Sequence, residues 1–345
     1  MPEAIPDWIA RLPKAELHLH LEGTPAPERL VALVLQSTGV ALPLEEVERR
    51  YRYDDFIGFL LAYKWVCEQL RSPADYTFLL RDHLERLRAQ NVLYAEFTLS
   101  AGVVLWNKLD LDAVCLALGE AARQARSEFG IEIRWVLDAV RHLGPGHVAR
   151  VADYAVRWKD AGVVAFGIGG EERGFPPELF RDTFEQVRAA GLRVTVHAGE
   201  VSGPESVWGA LKVLGAERIG HGLASFRDPK LVETLVRDDI TLEVCPTSNR
   251  LTGALRMHTG GDDLAAHPLV GYCRGGVPVT INTDDPGLFF TDLNTEYALA
   301  HRLGLSREEL TRVARRAFEV AFCDDATRAA VLARFDAEAE TTGKT

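Results

Sequence analysis

The sequence has few cysteines and no long apolar run, and both features exclude classes of protein. None of the cysteines forms a C-x-x-C pair, the spacing typical of cysteine zinc sites, and their scattered positions favour reduced thiols over disulfides. No apolar stretch is long enough to cross a bilayer, and residues 1–14 show no signal-peptide pattern. We therefore expect a cytoplasmic protein with no membrane partner. The cysteines are Cys67, Cys115, Cys245, Cys273 and Cys323.

Positive charge is also scarce. Lysine and arginine number 39 against 50 aspartates and glutamates, which gives a net charge of −11 with histidine neutral. The overall field of so acidic a chain does not attract phosphate backbones, so the composition argues against a nucleic acid partner and favours a small molecule. The sequence gives no indication of an oligomeric state.

Eight short apolar runs recur along the 345 residues, separated by segments with helical periodicity. This alternation predicts an α/β fold, a closed (β/α)8 TIM barrel formed by residues 1–345 as a single domain. An open doubly wound sheet is the alternative, but it usually has a glycine-rich turn after its first strand, where this chain has histidines. The predicted strands are Ala15–His20, Val92–Leu99, Ile131–Val140, Val163–Ile168, Leu192–His197, Arg218–His221, Ile240–Cys245 and Val277–Asn282.

The segment between the first two strands is too long for one helix. Its periodicity predicts a helical insertion at about residues 21–90, and further helices are expected at about 305–338. The insertion could form a wall over the barrel mouth, or its aromatic residues could only pack it onto the barrel. The candidate wall residues are Phe56, Phe59, Leu60, Tyr63 and Trp65.

Side chains that bind metals cluster at the predicted carboxyl ends of the strands, where barrel enzymes carry their chemistry. The first strand ends in His18 and His20, and strand alternation places both inside the barrel. His197 ends the fifth strand, His221 ends the sixth, and Asp284 follows the eighth. Imidazoles and a carboxylate that converge in this way are suited to Zn²⁺.

Each of these features also has a structural explanation. A lone histidine is more often a packing residue, and the pair Asp284–Asp285 could cap a helix that begins at Pro286. Their joint occurrence at one end of the barrel favours the metal site. The remaining histidines fall in helices or loops and are interpreted as surface or packing residues. They are His83, His142, His147, His258, His267 and His301.

These residues lie in motifs that resemble those of a known family. The stretch LPKAELHLHLEG at residues 12–23 resembles the first-strand motif of adenosine deaminases. The motifs HAGE, GHG, CPTSN and NTDDP resemble the remaining motifs of that family, and they occur in the same order. The resemblance covers essentially the whole chain. It implies a TIM barrel that deaminates a 6-aminopurine by hydrolysis.

The resemblance also implies a role for each site residue. Glu200 corresponds to the proton shuttle beside the purine ring, and His221 to the residue that orients the attacking water and helps to deprotonate it. Asp285 corresponds to the partner of purine N7, and Gly170 to the backbone donor to N3. The ligands of a zinc ion correspond to His18, His20, His197 and Asp284.

The number of metal ions separates this function from a related one. Two-metal barrels of the amidohydrolase type commonly use a modified lysine at the end of the fourth strand, where this chain has glycines. We therefore expect one zinc per chain, which argues against a hydrolase of amides, lactones or phosphoesters. An inactive purine-binding barrel is the alternative from a different class, but all four candidate ligands are present.

The residues expected at the sugar depart from the family pattern. Glu22 stands where adenosine enzymes usually carry an aspartate that meets the ribose hydroxyls. Glutamate there is similar to relatives that act on adenine or on 5′-modified adenosines such as aminodeoxyfutalosine. Residues 251–254 nevertheless keep the Leu-Thr-Gly-Ala continuation of adenosine enzymes. We therefore expect deamination of adenosine to inosine and ammonia with Glu22 at the ribose, and keep those two substrates as alternatives.

Overall fold

The structure, a computed structural model, describes residues 5–343. Its centre is a sheet of eight parallel strands that pair in sequential order, which confirms the predicted TIM barrel. All eight strands occur where the apolar runs predict them. They are β1 (Lys14–His20), β2 (Val92–Leu99), β3 (Glu132–Val140), β4 (Val163–Gly169), β5 (Arg193–Ala198), β6 (Arg218–His221), β7 (Thr241–Val244) and β8 (Val279–Ile281).

Three of these strands are shorter than predicted, β3 by one residue at its start, and β7 and β8 at both ends. β7 stops before Cys245 because Pro246 begins a helix immediately after it. β8 stops before Asn282, whose side-chain oxygen instead accepts a hydrogen bond from Leu17 N at 2.9 Å. Both chain exits lie at the carboxyl end of the barrel, next to the predicted site.

The barrel closes between its last strand and its first through few contacts. Asp284 N donates to His18 O at 3.1 Å, and His20 N donates to Asp284 O at 2.8 Å. A single bridge pairs Leu19 with Asp284. Closure of the barrel therefore places the first and the last of the predicted site motifs, HLH and NTDDP, directly beside each other.

Helices surround the strands. They are α1 (Asp7–Arg11), α2 (Pro27–Thr38), α3 (Leu44–Arg50), α4 (Phe56–Cys67), α5 (Pro73–Ala89), α6 (Ala101–Trp106), α7 (Leu111–Phe129), α8 (Pro145–Arg157), α9 (Arg181–Ala189), α10 (Pro204–Gly209), α11 (Pro229–Arg237), α12 (Pro246–Leu251), α13 (Ala254–Thr259), α14 (Leu269–Arg274), α15 (Leu293–Arg302), α16 (Arg307–Glu319) and α17 (Asp325–Gly343). Within residues 5–343, no helix combines the length and the apolarity needed to span a bilayer.

The insertion between β1 and β2 contains α2 to α5. Helix α4 packs against the loop that follows β8, where the rings of Phe59 and Phe289 stack with their centroids 5.2 Å apart. Tyr53, just before α4, donates from its hydroxyl to Leu288 O at 3.1 Å. These contacts hold α4 beside the carboxyl end of the barrel.

The barrel interior contains a buried ion network formed by Glu96 on β2, Arg218 on β6 and Glu243 on β7. Arg218 donates to both carboxylates, with its Nε 2.6 Å from Glu243 Oε1. Arg218 Nη1 also donates to Val320 O at 2.8 Å, and Glu96 accepts from Phe322 N. Buried charges are tolerated when each is paired and hydrogen-bonded, as here. The network ties the segment between α16 and α17 to the barrel.

Candidate active site

The predicted metal-binding side chains converge at the carboxyl end of the barrel. One ligand atom each of His18, His197, His221 and Asp284 lies within 4.8 Å of the others. His20 joins this cluster, with its Nε2 3.1 Å from His197 Nε2 and 3.3 Å from Asp284 Oδ1. All of these side chains except that of His197 are at least nine-tenths buried.

The bonds around this cluster leave its inner atoms available for a cation. His18 Nδ1 is 2.8 Å from Glu243 Oε2, so its Nε2 faces Asp284 at 3.3 Å. Within residues 5–343, His18 Nε2 is buried and without a hydrogen-bond partner. Although burial lowers the pKa of His18, the carboxylates of Asp284 and Glu243 raise it to about 10. Such a surplus of negative charge, with imidazole nitrogens aimed inward, fits a divalent cation.

His221 is held by a second chain of hydrogen bonds. Asn249 Nδ2 donates to His221 Nδ1 at 3.0 Å, and Asn249 Oδ1 is 3.2 Å from His267 Nε2. This pairing leaves the proton of neutral His221 on Nε2, which lies 3.7 Å from Glu200 Oε2. Burial lowers the pKa of His221 to about 3. His221 therefore presents a neutral N–H donor to the centre of the site.

Two site residues adopt the left-handed backbone conformation, which is rare for residues other than glycine. His221 has φ of 60° and Asp284 has φ of 66°. Left-handed backbone at residues other than glycine costs about 1–3 kcal/mol and concentrates at functional sites. Glycine at position 220 leaves room for the ring of His18, because a Cβ atom there would lie 2.8 Å from His18 Cε1.

Glu200 lies in the loop after β5, beside this cluster. Burial raises the pKa of its carboxyl group well above the usual range, and the charges of Asp284 and Glu172 add to the effect. A carboxyl group that stays protonated near neutral pH can act as a general acid.

Asp285 follows Asp284 on the same turn. Its Oδ1 is buried and has no hydrogen-bond partner within the described part of the chain. Burial, with a contribution from Asp284, raises the pKa of its carboxyl group well above the usual range. The alternative in which Asp284 and Asp285 cap a helix at Pro286 is wrong, because the next helix, α15, begins at Leu293 with Asp292 at its N-cap.

The candidate metal-binding cluster and Glu200 lie at a cavity of about 420 Å³. Gly170 lines this cavity with φ of 87°, a conformation for which glycine is the favoured residue. Apolar side chains of α4 and α6 form the outer part of its wall. The most exposed of them are Ile57, Leu61 and Trp106.

Four of the five candidate wall residues line this cavity, namely Phe56, Phe59, Leu60 and Tyr63. Trp65 does not; its ring packs against the guanidinium of Arg50, 5.0 Å away.

Glu22 lies behind the cavity wall. Its carboxylate accepts hydrogen bonds from Ser100 N at 3.1 Å and from the Tyr63 hydroxyl at 3.2 Å. Ser100 and Tyr63 themselves line the cavity, whereas Glu22 does not.

Three histidines that the sequence assigned to the surface or to packing are part of the site or its support. His142 lines the cavity next to Gly170. His258 Nε2 is 2.8 Å from Glu200 O, and His267 contacts Asn249 as described above. These histidines lie in helices or loops, and the residues that they contact are distant in the sequence. The local sequence pattern therefore did not reveal their roles.

Sequence reasoning also missed side chains that orient the candidate ligands. Glu243 holds His18, and Ser248 Oγ donates to Asp284 Oδ2 at 2.7 Å. Glu243 could have been noticed as a charged residue in the middle of an apolar strand, because a buried charge requires a partner. Ser248 lies in the CPTSN motif, but nothing in the motif indicated its target.

The family comparison agrees with this geometry. The sequence profile of the adenosine deaminase family matches residues 13–338. The chain belongs to the adenosine deaminase family. It is an enzyme, a hydrolase that removes an amino group from a cyclic amidine.

Members of the family similar to this chain differ in substrate. An aminodeoxyfutalosine deaminase from Streptomyces avermitilis is 40% identical over 95% of this chain and 92% of its own length. An adenine deaminase from Agrobacterium fabrum is 39% identical over 94% of this chain and 98% of its own length. These names match the two alternatives of the sequence analysis rather than adenosine, which they do not support.

A solved structure extends the comparison to the metal. An amidohydrolase from Burkholderia ambifaria with bound zinc is 28% identical and superimposes with a TM-score of 0.86, covering 100% of this chain and 97% of that protein. The similarity and the converging imidazoles together identify a metal site in this family member.

Proposed function

We propose that this chain hydrolyses the 6-amino group of an adenosine that is modified at the 5′ position, the substrate class for which the Streptomyces relative is named. The reaction adds water at C6 of the purine and releases ammonia. The single observation that carries the proposal is the size and lining of the cavity.

The cavity is larger than a purine base requires. Adenine has ten non-hydrogen atoms, which occupy at most ~300 Å³ if each takes the share of a water molecule in the liquid, ~30 Å³. The cavity volume is about 420 Å³, and its outer part is apolar. Ile57, Leu61 and Trp106 are 50%, 63% and 56% exposed there. Exposed apolar side chains around a pocket are typical of a binding surface for a ligand group.

Three residues of the chain act on the purine ring in this proposal, and a fourth acts on the attacking water. The protonated carboxyl group of Glu200 donates to N1, which draws charge from the ring as water adds at C6. His221 Nε2–H orients the attacking water. Asp285 hydrogen-bonds N7, and Gly170 N donates to N3.

The sugar lies beside Tyr63 and Ser100 in this proposal. Glu22 accepts hydrogen bonds from both residues, so it acts on the ribose by fixing these two wall groups. Each of them carries a hydroxyl that can meet a ribose hydroxyl.

One zinc ion per chain is part of the same proposal. Three imidazoles and one carboxylate are a donor set that zinc prefers, and the unpartnered Nε2 of His18 supports it. The proposed ligands are His18, His20, His197 and Asp284. When bound, zinc lowers the pKa of water towards neutrality, which makes water a competent nucleophile.

The substrate class is tested by ammonia release from adenosine, deoxyadenosine, adenine, methylthioadenosine and aminodeoxyfutalosine, measured side by side. We expect the highest kcat/KM on a 5′-modified adenosine. A preference of tenfold or more for free adenine would contradict the proposal and support the second candidate, adenine deamination, which the Agrobacterium relative favours.

Two leucines with nearly equal exposure provide a matched test of the outer wall. Leu61 lines the cavity and is 63% exposed, whereas Leu116 on α7 is 61% exposed and does not line it. Leu61→Ser removes apolar contact worth about 1 kcal/mol, so KM for the 5′-modified substrate should rise about fivefold. KM for adenine should not change, and Leu116→Ser should change neither. Equal effects of Leu61→Ser on both substrates would show that the 5′ group does not reach this wall.

The hydrogen bond that Glu243 accepts from His18 predicts a change in zinc affinity. Glu243→Gln keeps the size of the side chain but removes the charge that orients His18. Loss of such a partner typically weakens metal binding ~10–100-fold. Competition of the purified variant with a chelator of known affinity measures this change. Unaltered zinc affinity would show that His18 is oriented without Glu243.

A cytoplasmic location is also part of the proposal. It is supported by the five cysteines, all of which have free thiols.

A further inference from the structure

The residues assigned to opposite edges of the purine lie on neighbouring strands that are barely paired. Gly170 follows β4, and Glu200 lies three residues after His197 of β5. β4 and β5 pair only through Ala165 with Arg193 and Phe166 with Val194, which are the first two residues of β5 and precede the site residues of both strands. The ladder therefore does not fix the distance between the two strand ends.

Arg141 spans this gap with hydrogen bonds to carbonyl groups. It follows β3 and is 1% exposed. Its Nη2 donates to His197 O at 2.6 Å and to Ile168 O at 3.3 Å, while its Nε donates to Gly169 O at 3.4 Å. One buried guanidinium thus joins the ends of β4 and β5.

Glu172 spans the same gap with hydrogen bonds from amide groups. It lies two residues after Gly170 and is 6% exposed. Its Oε2 accepts from Gly199 N at 2.8 Å and from the Ser206 hydroxyl. Its Oε1 accepts from the N–H groups of residues 200 and 201, both at 2.9 Å. Three successive amides around Glu200 are thereby fixed by one carboxylate.

We propose that Arg141 and Glu172 are positioning residues of the deamination, because together they replace the missing ladder between β4 and β5 and hold Glu200 at a fixed distance from Gly170. Arg141 binds the carbonyl groups of residues 168 and 169 at the end of β4 and of residue 197 on β5, and Glu172 binds the amides of residues 199–201. The inference rests on the roles proposed above for Glu200 and Gly170.

Glu172→Gln tests this inference, because the amide of glutamine places an N–H₂ group against backbone N–H donors. A displacement of about 1 Å in a catalytic group can cost ~10²-fold in rate, so we expect kcat to fall ~10²-fold. KM should change less than threefold, and the zinc content should remain that of the wild type. The substrate is whichever 6-aminopurine the wild type deaminates fastest, so the result does not depend on the 5′ group.

Asp75 provides a matched control. It is also a buried carboxylate that accepts from successive backbone amides, Arg71 N at 2.8 Å and Ser72 N at 2.9 Å, but it does not line the cavity. Asp75→Asn should lower the melting temperature as Glu172→Gln does, and it should leave kcat within about twofold. An equal loss of kcat in both variants would overturn the inference.

A double-mutant cycle separates this inference from the proposed function. If Glu172 acts through Glu200, Glu172→Gln should lower kcat less than threefold in a Glu200→Gln background. A full additional loss in the double variant overturns the positioning role. A Glu200→Gln variant with normal kcat instead overturns the role of Glu200 itself.

Arg141→Lys keeps the proposal testable if Glu172→Gln does not fold. Lysine keeps the charge but lacks the forked donors, so we expect about a tenfold loss of kcat with zinc retained. A folded Arg141→Lys variant with wild-type kcat would overturn the role of Arg141. Loss of zinc in proportion to kcat would overturn it as well, because the effect would then pass through the metal site.

Discussion

Glu200→Gln is expected to lower kcat by at least ~10²-fold, the usual contribution of a general acid–base group, while zinc content stays unchanged. The amide preserves the shape of the side chain and removes the proton that Glu200 would transfer to N1. The pKa of Glu200 is raised mainly by burial, which favours the protonated form that a general acid needs. Steady-state kinetics on the best substrate and metal analysis of the same preparation measure both quantities.

Glu205 supplies the control for this variant. It lies five residues away on α10, where its exposed carboxylate accepts from Gly203 N at 3.0 Å. Glu205→Gln should retain wild-type kcat. A Glu200→Gln enzyme with near-normal kcat would show that another group protonates the purine.

Loss of the metal is expected to abolish turnover. Asp284→Ala removes one proposed ligand and leaves the histidines without their shared carboxylate, so the purified variant should contain little zinc and show no measurable ammonia release. Chelation of the wild-type protein should have the same effect, and added zinc should restore activity. Metal analysis should find one zinc per chain before chelation, and two ions per chain would contradict the mononuclear site.

Zinc should also stabilise the fold, which gives a readout independent of activity. A ligand present at a thousandfold excess over its Kd stabilises the native state by about 4 kcal/mol. The melting temperature of the wild type should therefore fall by several degrees on chelation, whereas that of Asp284→Ala should not respond. Equal shifts in both proteins would place the stabilising metal elsewhere.

The barrel and the converging ligands could be predicted because their signals are local. Each strand is a continuous apolar run, as expected for strands buried on both faces, and H-x-H in such a strand directs both rings to one side. The parallel order of the strands then brings their carboxyl ends together. His18, His20, His197 and Asp284 could thus be placed in one cluster without knowledge of any distance.

The residues that support the ligands could not be predicted in the same way. One carboxylate oxygen of Glu243, on β7, is hydrogen-bonded to His18. The other oxygen accepts a hydrogen bond from Arg218 on β6. The register between strands decides which charged side chains meet, and the apolar pattern of a strand carries no information about register between distant segments. The same limit applies to Arg141 and Glu172, whose partners are backbone groups of other strands.

The sugar side shows a third limit. The position of Glu22, two residues after His20, indicated nearness to the metal but not the direction of its side chain. The short helical turn Leu21–Gly23 places Glu22 behind Tyr63 and Ser100. The helical spacing of α4 predicted five wall residues. Trp65 is the one that does not line the cavity, because its ring packs against Arg50 instead.

During synthesis, the metal site can form only after the barrel has closed between β8 and β1. His18 and Asp284 are 266 positions apart in the sequence, and the barrel joins them only after β8 has formed. At a translation rate of ~5–20 residues per second, the histidines of β1 leave the ribosome ~13–53 s before their carboxylate partner. With the proposed ligand set, zinc capture is therefore expected to be a late event that follows folding of the barrel, and a nascent chain stalled before residue 284 carries the histidines without Asp284.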